Sequence, residues 1–315
     1  MAGEPATEPP RRPATVWIPA ATPPEYRALL PVGVDVREAP DIGDISNAPQ
    51  HADILISGFD PKRTIEIVPQ LRDLRLVQTL SAGVDTLVGH IPPDVILCDG
   101  SGIHDASVSE WVVMVTVAMR RHLPDCVLSQ AAATWRRPGG ADLEGATVLI
   151  VGYGSIGRAV EHRLEPFGAR VVRVARRQRA GVHGVDELTG LLPGADVVVI
   201  LLPLTAETHG MVDAGFLAAM HEGALLVNAA RGPIVDTAAL LAALRSEHIR
   251  CALDVTDPEP LPDGHPLWSA PGCLITPHVG GAVVRLFERA WRFAGEQVRR
   301  YIDGEPLRNV VRDGY

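Results

Sequence analysis

Residues 147–164 read TVLIVGYGSIGRAVEHRL, an apolar run that breaks into glycines and reopens as a stretch fit for a helix. The order matters more than the glycines, because a strand must bring the chain to the turn and a helix must carry it away. In that context Gly152 permits the tight turn, Gly154 lets the backbone approach a pyrophosphate, and Gly157 lets the helix pack close to the strand. The helix start then offers N–H groups and partial positive charge to the phosphates. The stretch predicts the phosphate-binding turn of a dinucleotide domain. A merely tight strand-to-helix turn is the competing reading.

The next apolar run, residues 171–175, ends without a carboxylate and is followed by Arg176, Arg177 and Arg179. An acidic residue at that point normally accepts hydrogen bonds from the adenosine ribose hydroxyls. Ala175 stands about where it would be. A carboxylate repels a 2′-phosphate, whereas guanidinium groups bind one with paired donors. The segment therefore favours NADP(H), with NAD(H) also possible, and Arg176 and Arg177 are the expected contacts. A solvated basic loop is the plain alternative.

Outward from the turn, short β-rich runs alternate with helix-like stretches, the signature of parallel sheets built from βαβ units. Strands are expected at 147–151, 171–175, 197–202, 224–228, 250–254 and 274–276, a complete dinucleotide-binding sheet. Upstream, the runs at 15–18, 34–37, 53–57, 75–79 and 95–97 suggest one small doubly wound domain. ASVSEWVVMVTVAMRR, residues 106–121, lacks Gly and Pro and reads as a buried bridging helix. Residues 282–301 read as a helix returning to the first domain. The expected fold is α/β with two doubly wound parallel-sheet domains, a Rossmann nucleotide-binding domain at 104–282 inserted into a flavodoxin-like substrate domain at 1–103 and 283–315. The proline-bearing stretch 1–13 is expected to be a disordered tail.

Composition bounds the function. With 29 basic against 38 acidic residues the net charge is −9, which argues against a broad phosphate-tracking surface for nucleic acid. The apolar runs fall far short of the roughly 20 residues that span a bilayer, so neither a membrane nor a nucleic-acid partner is expected. Cys98, Cys126, Cys251 and Cys273 are far apart and without metal-type spacing, and they read as reduced thiols, mostly buried. No metal is expected, and the reading places the protein in the cytoplasm.

Three later segments, NAARG, DVTDPEP and TPHVGG, put polar groups at the ends of apolar strands, where open α/β sheets carry their chemistry. They bring Arg231, Glu259 and His278. Reducing a 2-keto acid takes a hydride at the carbonyl carbon, a proton at its oxygen and a cation for its carboxylate. His278 is the natural proton donor. Glu259 is suited to orient the imidazole and favour its protonated form. Arg231 is suited to hold the carboxylate and polarise the carbonyl. Singly, the three residues read equally well as a surface ion pair, a loop carboxylate and a buried imidazole.

Here the chain resembles the D-isomer-specific 2-hydroxyacid dehydrogenase family over most of its length. The resemblance rests on SAGVD at 81–85, GYGSIG at 152–157, LLPLTAETHGMV at 201–212 and NAARGPIVD at 228–236. ALDVTDPEPLP at 252–262, HPLW at 265–268 and TPHVGG at 276–281 complete the ordered set. It implies catalysis by Arg231, Glu259 and His278, and substrate carboxylate binding by the backbone amides of Gly83 and Val84. It also implies cofactor contacts at Ser155, Ile156, Leu202, Pro203, Ala229, Asp254, His278 and Gly280, and a homodimer paired through its nucleotide domains. The missing acidic residue after the second strand resembles the NADPH-using glyoxylate and hydroxypyruvate reductase branch. The sequence after His278, GGAVVRLFERA, lacks the small hydroxyl and acidic residues often found in relatives, which leaves substrate contacts near 282–285 open.

In SGFDPKR, residues 57–63, Phe59 is expected to shape the substrate pocket, and Lys62 or Arg63 to meet a second anionic group. A solvated loop is the alternative. The leading expectation is reduction of glyoxylate, hydroxypyruvate or a similar 2-keto acid. A dinucleotide-sensing interaction protein and a dehydrogenase of another small oxyacid, of phosphorus or one carbon, are the alternatives.

Overall fold

A computed structural model describes residues 13–39 and 50–312, so the expected tail lies outside the described residues except for Pro13. The chain divides into two compact units, one holding everything up to His104 and from Val284 onward, the other holding Asp105–Val283. Among the described residues no helix is long and apolar enough to cross a membrane.

The first unit is built on β1 (Thr15–Ile18), β2 (Asp35–Glu38), β3 (Ile54–Ser57), β4 (Leu76–Thr79) and β5 (Ile96–Cys98). All pair in parallel in the order β2-β1-β3-β4-β5, which is the flavodoxin-like order. Every residue of β1, β3 and β4 is buried, as strands covered on both faces must be. Edge strand β2 is exposed throughout and carries Asp35, Arg37 and Glu38, charges that discourage pairing with another chain. The returning helix Leu286–Ile302 lays Ala290, Trp291, Ala294, Val298 and Tyr301 on one sheet face, a 3.6-residue stripe. Its start falls four residues after the expected 282. The pair Gln50–His51 and Leu71–Arg72 forms a separate two-stranded sheet that no apolar run announces.

The second unit has β6 (Thr147–Val151), β7 (Arg170–Ala175), β8 (His183–Gly184), β9 (Val197–Ile200), β10 (Leu225–Asn228), β11 (Arg250–Leu253) and β12 (Cys273–Ile275). Their parallel order is β8-β7-β6-β9-β10-β11-β12. β8 has only two residues, too few for a hydrophobic period, which is why the sequence suggests six strands and the sheet has seven. Alternation splits β6 cleanly. Val148 and Ile150 face the helix Asp105–Arg120 through Val108, Trp111, Val112 and Val115, while Leu149 and Val151 enter the core on the other side. Burial of each such side chain contributes roughly 1.5–3 kcal/mol, so both faces of β6 hold the turn that follows it.

Candidate active site

Gly152 leaves β6 with φ +106°, and a Cβ there would lie 2.5 Å from the carbonyl of Leu201. Only glycine fits both the turn and the approach to the end of β9. A Cβ on Gly157 would meet the Gly152 carbonyl oxygen at 2.9 Å and Ile150 Cγ2 at 3.3 Å, so Gly157 is what lets the helix Ser155–Leu164 close on its strand. A Cβ on Gly154 would meet nothing within 4 Å. That open side of the backbone, at a helix N-terminus beginning with Ser155 and Ile156, is shaped for an approaching pyrophosphate. The residues present thus fit the diphosphate of a dinucleotide.

The turn is braced from the basic side. Arg179 Nη2 donates to the Tyr153 carbonyl oxygen at 2.8 Å, and the Arg179 and Arg173 guanidinium groups lie 6.0 and 5.7 Å from the centre of the Tyr153 ring. The Tyr153 hydroxyl and Arg173 both donate to Glu161. The Arg173 hydrogen bond holds the Glu161 carboxyl below the usual range, and burial followed by the Glu161 contact pushes the Tyr153 phenol up. Arg176 and Arg177 are exposed after β7. Arg176 reaches toward Glu207, whose carboxyl is held low first by the Thr205 hydroxyl and more weakly by this arginine. Among the arginines following β7, Arg179 is bonded to the glycine turn.

Leu202 and Pro203 follow β9 and Ala229 follows β10, on the edge where Gly152 follows β6. The sheet order reverses between β6 and β9, the switch point at which open α/β sheets take ligands. At the end of β10 the side chain of Asn228, 1% exposed, accepts from the Ala230 N–H at 3.0 Å and donates to the Arg231 carbonyl at 3.1 Å. Arg231 Nη1 donates to the Ala230 carbonyl at 2.7 Å. Gly232 next to it presses on the backbone of Thr256 and Asp257, which draws the Arg231 turn to the loop that carries Glu259. The Thr237 hydroxyl adds a bond to the Asp257 carbonyl at 2.9 Å.

His278 Nδ1 lies 2.6 Å from Glu259 Oε1, with both side chains about half exposed. That contact engages Nδ1 and leaves Nε2 for proton exchange. The His278 backbone has φ +53°, and its N–H donates to the Asp254 carbonyl at 2.7 Å. The buried Asp254 side chain does the rest of the positioning. It accepts from the Thr276 hydroxyl at 2.6 Å, the Val279 N–H at 2.8 Å and the Gly280 N–H at 2.7 Å. Trp111 Nε1 in turn donates to Thr276 at 3.0 Å. A Cβ on Gly280 would stand 2.7 Å from Asp254 Oδ2. Asp254 and Gly280, expected beside the cofactor, here frame the loop of His278. Sequence reasoning passed over Asn228, Gly232 and Thr276 as framing residues; the one available signal was an Asn ending an apolar strand.

In the first unit, Phe59 follows β3 and Gly83 and Val84 follow β4, at the same edge of neighbouring strands. The Ser81 hydroxyl donates to the Gly83 carbonyl at 3.1 Å and the Val84 carbonyl accepts from Leu87 at 2.8 Å, closing a compact loop. Phe59 meets Phe287 edge to face at 5.4 Å. Arg63 donates to the Ala39 carbonyl at 3.2 Å, and Asp60 caps the short helix Pro61–Ile67 at the Lys62 N–H. Arg63 thereby ties the loop to the end of β2.

The sequence profile of the family described as "D-isomer specific 2-hydroxyacid dehydrogenase, NAD binding domain" matches residues 113–280. The chain belongs to the D-isomer specific 2-hydroxyacid dehydrogenases. As a member it is an NAD(P)-dependent 2-hydroxyacid dehydrogenase, and its cofactor is a nicotinamide dinucleotide. Formate dehydrogenase of Arabidopsis thaliana is 31% identical over 89% of this chain and 78% of that protein. D-3-phosphoglycerate dehydrogenase of Mycobacterium tuberculosis is 33% identical over 92% of this chain, which spans 57% of that longer protein. Among solved dehydrogenases of this family, that of Xanthobacter autotrophicus Py2 in complex with NADPH and MES has a TM-score of 0.84 at 33% identity, covering 96% of this chain and 100% of that one. The NADPH-dependent glyoxylate/hydroxypyruvate reductase of Sinorhizobium meliloti, in complex with NADP and sulfate, has a TM-score of 0.83 at 26% identity over the same shares.

Proposed function

We propose that this dehydrogenase reduces a small 2-keto acid, glyoxylate, hydroxypyruvate or a close relative, to the D-2-hydroxy acid with NADPH. The observation that carries the proposal is the 2.6 Å contact of His278 Nδ1 with Glu259, formed in the same unit as Arg231 and the glycine turn. Bound NADPH supplies a hydride to the carbonyl carbon. Arg231 holds the substrate carboxylate and draws electron density toward the carbonyl oxygen. His278 gives that oxygen a proton from Nε2, and Glu259 keeps the ring oriented through Nδ1. We assign the N–H groups of Gly83 and Val84 to the binding of a substrate carboxylate as well. Phe59, backed by Phe287, walls the substituent. Ser155, Ile156, Leu202, Pro203, Ala229 and Gly280 border the cofactor.

Support for NADPH over NADH comes from the carboxylate-free end of β7 and the arginines after it, and from relatives solved with NADPH or NADP. Support for a homodimer comes from apolar side chains left exposed in the nucleotide unit, among them Met114, Val127, Leu128 and Trp135. We place the enzyme in the cytoplasm, where its four free thiols would be reduced at rest.

A panel of 2-keto acids with phosphorylated and one-carbon analogues, assayed with NADPH and NADH, tests the reading. Highest kcat/KM is expected for glyoxylate or hydroxypyruvate with NADPH. A preference for phosphorylated substrates or for NADH would overturn it. His278→Ala is expected to abolish turnover while leaving cofactor binding within about threefold.

A further inference from the structure

Two thiols of the nucleotide unit face each other across neighbouring strands. Cys251 on β11 and Cys273 on β12 are direct register partners, and their sulfurs are 3.3 Å apart. Partners on adjacent strands lie roughly 4.8 Å apart at the backbone, within the 4.4–6.8 Å between Cα atoms that a disulfide spans. Cys251 is fully buried and Cys273 is partly exposed. We propose that these two cysteines are a reversible disulfide site that joins β11 to β12 and controls the loop of His278. The site's chemistry stands on the two sulfurs alone, while its effect on turnover rests on the reduction proposed above.

The asymmetry of the pair gives each sulfur a part. Cys251 donates to Cys273, and that bond together with burial pushes the Cys251 thiol well above its usual range. Cys273 is therefore the sulfur that reacts first, with hydrogen peroxide as the oxidant. Its thiolate attacks one peroxide oxygen, an S–O bond forms, the O–O bond breaks, and the released hydroxide takes up a proton as water. The Cys251 sulfur then attacks the Cys273 sulfenic acid. An S–S bond forms, the S–O bond breaks, and the Cys251 proton leaves with the hydroxide as a second water. Two thiols and one peroxide give one disulfide and two waters.

The bond would bring the sulfurs from 3.3 Å to about 2.0 Å. Cys251 precedes Asp254 by three residues, and Cys273 precedes Thr276 by three and His278 by five. The bonds from Asp254 to Thr276, Val279 and Gly280 join these same two strand ends. Closing the sulfurs therefore strains the frame that sets the imidazole.

The test uses the full chain carrying Cys126→Ser, which removes the exposed thiol. After brief peroxide treatment, intact mass and non-reducing peptide mapping are expected to show a loss of about 2 Da and a link between the peptides of Cys251 and Cys273. The kcat is expected to fall severalfold and return with dithiothreitol, and Cys273→Ser is expected to remove both effects. Oxygen addition at Cys273 without a link, or no mass change, would overturn the site. A complete link with unchanged kcat would overturn the control of His278. Should the keto-acid panel fail, the mass result still decides the site, and the His278 imidazole NMR signal reads the loop: a shift on linkage supports the control, and an unmoved signal overturns it.

Discussion

A methyl group on Gly232 would stand 1.9 Å from the carbonyl oxygen of Thr256. The turn of Arg231 and the loop of Glu259 thus touch backbone to backbone, with no side chain between them. Gly232→Ala must push them apart. A fall of several degrees in Tm and at least a tenfold fall in kcat/KM are expected, read by thermal melting and steady-state kinetics. Unchanged kinetics would show that the two segments act independently.

Glu259→Gln keeps a hydrogen-bonding group beside His278 and removes the charge. A kcat lowered by roughly 10²-fold or more is expected, with the KM for NADPH little changed. A variant as active as the parent would remove Glu259 from the mechanism.

The Asn228 side chain is bonded at both ends inside the turn of Arg231. Asn228→Ala leaves the buried Ala230 N–H without this acceptor and takes one donor from the Arg231 carbonyl, which keeps the Ile234 N–H, at a cost of roughly 1–3 kcal/mol. Because Arg231 would then wander, the KM for the keto acid is expected to rise more than the KM for the cofactor. Equal changes in both would mark Asn228 as a general stabiliser.

Arg179 braces the glycine turn at the Tyr153 carbonyl. If it also meets the 2′-phosphate, Arg179→Ala lowers the ratio of kcat/KM for NADPH over NADH by about tenfold, roughly 1.4 kcal/mol. An equal loss with both cofactors would confine Arg179 to bracing.

Asp99, at the end of β5, has its carboxyl pushed up to about 6 by burial, against the bond it accepts from Ser101. An acid raised in the folded state favours folding while protonated. Its contribution is whole below the unfolded value near 3.8 and is lost as pH climbs through about 6. Asp99→Asn is expected to melt a few degrees above the parent at pH 8 and to match it at pH 4, as followed by calorimetry.

Much of this was legible in the residues. β6 and its glycines could be read because a strand, a steric turn and a helix leave separate marks on one short stretch. Arg231, Glu259 and His278 could be read as polar endings of apolar runs. The framing of the site could not. Asp254 looks like any acid at a strand end until the folded loop turns three donors on it, and Gly232 looks like any turn glycine until β11 pairs beside β10 and brings Thr256 against it. β8 stayed hidden because two residues carry no period, and the helix Leu123–Ala131 because none of its residues is buried.

Position 278 bends the chain as well as bearing the imidazole, since its φ of +53° lies where glycine and asparagine are at ease and most side chains are not. Two selections therefore pull on one codon. A library randomised there and sorted for yield should enrich glycine and asparagine, while the same library sorted for turnover should return histidine. The gap between the two winners would measure how much folding comfort the enzyme forgoes to keep its acid.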